Sequence, residues 1–101
     1  MGLRQDQSDF TRALGKLIYY ATEVCGYELT LGDTYPGKFK HKKHSQHNKG
    51  LAIDLNLFID GHWQITSEAH AKLGAYWKLL GGTWGGDWSD GNHYSWNEGR
   101  P

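Results

Sequence analysis

The sequence predicts an α+β fold, with two amphipathic helices packed on a small central antiparallel sheet, as a single domain over residues 1–101. Three observations predict it. Apolar residues recur at three- and four-residue steps in two separate stretches. The segments 27–31 and 51–59 alternate apolar and polar side chains. An Asp-Gly pair at 60–61 follows the second of these runs. A chain of 101 residues with 38% apolar content, including five Trp, six Tyr and three Phe, can close one thin core, to which a bound metal would add stability.

The first helix is marked by Phe10, Leu14, Leu17, Ile18, Ala21, Val24 and Cys25 on one face, with Ser8 as N-cap and Gly26 as the stop. In "YELTL", Tyr27, Leu29 and Leu31 point one way and Glu28 and Thr30 the other, a strand pattern. The pattern breaks from Gly32 to Asn48, where turn formers flank the basic run "KHKKH" at 40–44. "LAIDLNLFI" alternates again: Leu51, Ile53, Leu55 and Leu57 share one face, and Ala52, Asp54, Asn56 and Phe58 the other. Asp60-Gly61 is a two-residue hairpin signal that sends "HWQI" back antiparallel. A second helix is expected from about Ser67, with Ala69, Leu73, Tyr76, Trp77 and Leu80 as its stripe and Gly81-Gly82 as its end. The Gly-rich, aromatic tail "TWGGDWSDGNHYSW" is expected to hold one or two short strands around a loop.

Composition narrows the function classes. A net charge of zero and one short basic run argue against a nucleic-acid binder. No apolar run approaches the length that crosses a bilayer. The lone Cys25 excludes an internal disulfide and, on the helix stripe, reads as a buried inert thiol. The first residues lack a basic-then-apolar signal pattern, so synthesis in a cytoplasm is expected.

The chemistry centres on "SQHNKGLAID" at 45–54. Asp54 shares its strand face with Ala52 and Phe58, so that face is not simply solvent, and a partly covered carboxylate needs a cation or several donors. His47 is a candidate co-ligand. On a straight strand it would lie roughly 23–25 Å from Asp54, beyond the reach of one ion, so the chain must turn between them, and Gly50 is where it can. His93, after the Gly-rich loop, is the third candidate. Two imidazoles and a carboxylate form a zinc donor set that leaves a fourth position for water. Asp90, three residues before His93, is placed to act as general base and then proton donor. Each residue also has a plainer reading. His47 is one of several loop histidines beside His41 and His44, Asp54 a hydrogen-bonded strand residue, and Asp90 a turn former in Ser-Asp-Gly-Asn. His62 and His70 show no partner pattern and read as structural.

Two motifs go further. "SQHNKGLAIDL" resembles the S-x-H-x-x-G-x-A-x-D signature of zinc D,D-carboxypeptidases and L-alanyl-D-glutamate endopeptidases, matching at Ser45, His47, Gly50, Ala52 and Asp54. "WGGDWSDGNHY" resembles the second motif of the same peptidases, matching at Trp84, Gly85, Gly86, Trp88, Asp90, His93 and Tyr94. The resemblance implies an α+β fold around an antiparallel sheet and one Zn2+ per chain held by His47, Asp54 and His93. It implies Asp90 as the catalytic base and a peptidoglycan stem peptide as substrate. The small size is similar to that of phage endolysins, which implies L-alanyl-D-glutamate cleavage by a monomer acting at the bacterial wall. D-alanyl-D-alanine trimming and a non-catalytic wall-binding domain are the alternatives. Relatives usually carry an Arg in a Tyr-Arg-Ser or Tyr-Arg-Thr segment after the first strand; here that place reads "TYPG". Lys38, Lys40, Lys43 or His44 could take the place of that Arg, and Lys43, His44, Ser45 and Trp88 are the nominated substrate contacts.

Overall fold

The structure is a computed structural model that describes residues 2–32 and 49–97. Helix α1 spans Leu3–Tyr19 and buries Phe10, Ala13 and Leu17. It begins well before Ser8, the expected cap: Gly2 stands at its N-terminus with no side-chain cap. Its first turns are polar and lie off the core, so no apolar spacing announces them. They are tied down instead by Gln5 Nε2 donating to Asp9 Oδ1 at 2.9 Å and Gln7 Nε2 to the Lys49 carbonyl at 2.7 Å.

After Tyr19 the helix widens into a π turn over Tyr20–Val24, closed by the Cys25 N–H on the Tyr20 carbonyl at 2.9 Å. A π turn holds more residues than an α turn and rotates everything after it. Ala21 is therefore buried, but Val24, expected on the same stripe, is 62% exposed, and Cys25 is half-buried.

Strand β1 is Glu28–Leu31 and β2 is Ala52–Ile59. Leu51, Ile53, Leu55 and Leu57 are all buried, so the alternation assigned the core face of β2 correctly. Asp60 (φ 53°) and Gly61 (φ 78°) form the hairpin turn, and β3, His62–Gln64, returns antiparallel with Ile59 opposite His62. A short 3₁₀ turn, Glu68–His70, opens on Thr66 Oγ1 accepting from the Ala69 N–H and leads into α2, Ala71–Leu79. The second helix thus starts a turn later than its apolar spacing suggests. Strand β4 is Thr83–Trp84, a second 3₁₀ turn covers Gly85–Trp88, and β5 is His93–Ser95.

The sheet order is β1-β2-β5-β4, with β3 also pairing with β2. Strand β1 takes one edge of β2. The other edge is shared: β5 pairs with Ala52–Asp54 at one end and β3 with Leu57–Ile59 at the other. A fork therefore opens at Leu55–Asn56. The helices cover the opposite face, where fully buried Trp77 meets Phe10, Tyr94 and Trp96 edge-to-face at 5.9, 6.1 and 5.7 Å. Its indole Nε1 donates to the Thr83 and Ser95 carbonyls, locking α2 to β4 and β5.

Candidate active site

Asp54 sits on the face of β2 turned away from the core, between buried Ile53 and Leu55. His93 opens β5 as its register partner. The pair is of the non-hydrogen-bonded kind. The Asp54 carbonyl turns toward β1 and accepts from the Gly32 N–H at 2.7 Å, while the next N–H, of Leu55, donates to the Asn92 carbonyl on the β5 side at 2.9 Å. Such pairs bring Cα atoms to about 4.5 Å and side chains closer than any other sheet position.

Asp54 Oδ1 and His93 Nδ1 lie 3.6 Å apart, beyond good hydrogen-bond length. Two donors each about 2.0–2.1 Å from a tetrahedral ion stand about 3.3–3.4 Å apart. The spacing and the chemistry, one imidazole nitrogen and one carboxylate oxygen, fit two ligands of a single zinc ion. The side chains are 10% and 25% exposed for His93 and Asp54.

Asp90 is exposed on the loop just before β5. Its N–H donates to the Gly85 carbonyl at 2.8 Å and its carbonyl accepts from the His93 N–H at 3.1 Å, so base candidate and ligand candidate are clamped in one turn. Gly85 lies flush under that turn: a Cβ there would meet the Asp90 carbonyl oxygen and come within 2.7 Å of the His93 Cβ. This explains the glycine in Trp-Gly-Gly. Further bonds hold the loop. Trp84 Nε1 donates to the Gly91 carbonyl at 2.7 Å, the Gly91 N–H donates to Ser67 Oγ at 2.9 Å, and Lys78 Nζ donates to Asp87 Oδ1 at 2.9 Å. Ser67, Lys78 and Asp87 carried no motif signal, because their partners are distant in sequence.

Trp88 is 48% exposed, with its ring 5.8 Å from that of His93. Trp84 is buried and Trp96 half-buried against the core, so of the three tail tryptophans Trp88 faces outward most. His47, Lys43, His44 and Ser45 lie outside the described residues. Gly50 holds φ 71°, a left-handed conformation suited to the turn demanded between His47 and Asp54. Among the described residues no group of three His, Cys, Asp or Glu side chains converges; the two candidate ligands that do meet are Asp54 and His93.

Behind this face, His70 is buried, and its Nδ1 lies 2.8 Å from the Tyr94 hydroxyl. Burial lowers the His70 pKa, and it raises that of Tyr94 far above the ordinary phenol value. Folded His70 is neutral where an unfolded histidine, with a pKa of about 6.5, takes a proton. As pH falls through about 6.5 the unfolded chain gains a proton that the folded chain refuses, so stability drops. In denaturant titrations of chelator-treated protein between pH 5 and 7.5, His70→Asn is expected to flatten this acid-side slope; an unchanged slope would place the titration elsewhere.

These features set one imidazole and one carboxylate face to face on an antiparallel sheet backed by two helices. A family model described as D-alanyl-D-alanine carboxypeptidase matches residues 40–96, more than half of the chain, and the protein belongs to that family. Peptidases of this family are zinc-dependent and act on peptidoglycan. A search of curated proteins finds no match.

Proposed function

We propose that this chain is a zinc-dependent endopeptidase that cleaves the L-alanyl-D-glutamate bond of peptidoglycan stem peptides, in the manner of a phage endolysin working at the cell wall as a monomer. The observation that carries the reading is the facing of Asp54 and His93 across β2 and β5, with Asp90 held three residues from His93.

His47, Asp54 and His93 would hold the zinc, which when bound acidifies water and polarises a scissile carbonyl. The chain's own residues supply the rest. The Asp90 carboxylate accepts the proton of the attacking water and hands it to the leaving amine nitrogen. Its exposure lets it reach solvent and substrate, and its clamped backbone keeps that reach constant. Trp88 offers a flat apolar surface beside the His93 ring. Lys43, His44 and Ser45 are nominated to meet substrate carboxylates or the developing oxyanion.

The activity for which the matching family is described favours a second reading, release of a terminal D-alanine. Mass analysis of soluble products from purified wall fragments separates the two. New L-alanyl C-termini and D-glutamyl N-termini, abolished by a chelator and restored by zinc, are expected. Release of free D-alanine alone would replace the first reading with the second.

A further inference from the structure

The fork in the sheet is a site in its own right. Where β3 and β5 part along β2, a cleft of about 250 Å³ opens, with Asp90 among its lining residues. Asn56 lies two residues beyond Asp54 on the same face of β2, about 7 Å along the strand. Trp63, opposite Phe58 in the register, stands on that face too and is 62% exposed. Gln64, Ser67 and Asn92 complete the polar lining. Asp90 is the residue that this cleft shares with the candidate centre.

Its chemistry is unusual for a pocket that would receive stem-peptide acids. Among the described lining residues there is no Lys or Arg, the histidine is His70, which burial keeps neutral, and the only formal charge is the Asp90 carboxylate. The remaining polar side-chain groups are three carboxamides, two hydroxyls and the Trp63 indole N–H, which form hydrogen bonds without charge. A free carboxylate placed here would leave water for a site with an acid at its rim and no counter-ion among the described residues, which is unfavourable. A carboxamide or an internal peptide group would find matching donors and acceptors.

From this we infer that the fork is the leaving-group subsite and that it selects a leaving residue whose α-carboxyl is amidated over one bearing a free α-carboxylate. The inference rests on the role given to Asp90 above: the group that protonates the leaving amine must stand beside the leaving residue. It makes a free terminal D-alanine a poor leaving group. For the L-alanyl-D-glutamate bond it makes the amidated D-isoglutamine stem the preferred substrate.

The test uses the full zinc-loaded chain and two synthetic stem peptides, L-Ala-γ-D-Glu-L-Lys and L-Ala-γ-D-isoglutaminyl-L-Lys, identical but for carboxylate against carboxamide. The expected result is a kcat/KM at least about tenfold higher for the amidated peptide, one order of magnitude being about 1.4 kcal/mol of discrimination. Gln64→Lys, which adds a cation to the lining, is expected to shrink or reverse that preference. In parallel, ¹⁵N spectra of the wild type should show the Trp63 indole and Asn56 amide signals moving with the amidated peptide and not with the acid. Equal cleavage of both peptides would overturn the subsite and leave the peptidase reading standing. Signal shifts without cleavage of either peptide would uphold the subsite and overturn the choice of bond. Neither cleavage nor shifts would overturn both.

Discussion

Changing Asp90 to Asn is expected to leave zinc content at the wild-type level and to lower kcat/KM on stem peptides by about 10²–10⁴-fold, the usual contribution of a positioned general base. The carboxamide is nearly isosteric, and the loop bonds at this position come from backbone atoms, the N–H to Gly85 and the carbonyl from His93. The turn should therefore survive, and the loss would report proton transfer rather than folding. Activity and metal content measured on the same preparation check it. Activity within about threefold of the parent would remove Asp90 from the base role. Loss of zinc together with activity would instead make Asp90 a ligand or a support for one.

His93→Ala should act on the other half of the machinery. Removing the supports of a ligand commonly weakens metal binding by about 10–100-fold, so removing a ligand outright should exceed about 100-fold and abolish hydrolysis. The folded state then loses its response to the metal. At zinc about 100 times its dissociation constant the wild type should gain about 2.7 kcal/mol of unfolding free energy, whereas the variant should gain little at the same concentration. His93 opens β5 with a side chain pointing away from the core, so truncation opens no cavity among the helices. Thermal unfolding with and without added zinc, beside direct metal analysis, checks both parts. A variant that binds zinc at native affinity would take His93 out of the ligand set.

What could be read from sequence followed from local repetition. The strict alternation from Leu51 to Leu57 assigned both faces of β2, and with them the outward position of Asp54. Asp60-Gly61 specified the hairpin, because two consecutive residues must adopt positive φ and these tolerate it. Gly81, at φ 102°, ended the second helix as expected. What was not legible depended on partners far along the chain or on departures from regular geometry. The polar opening of α1 carries no stripe, and the π turn breaks the very period by which Val24 was placed. The candidate ligands could be nominated by residue type and spacing, but their facing could not: it arises from the pairing of Asp54 with His93 across β2 and β5. The fork between β3 and β5 was hidden for the same reason, since nothing local says that two strands share one edge of a third.

The register of β5 couples chemistry to foldability. Tyr94, fully buried, and His93, on the opposite face, are consecutive residues, so a slip of one position would drive the imidazole into the apolar interior and expel the phenol into water. Misplacing this candidate ligand thus also dismantles the ring cluster around Trp77. Mistakes in alignment are rejected by the hydrophobic interior before any reaction is attempted, and substitutions that loosen that interior should blur catalysis even when no residue touching substrate has changed.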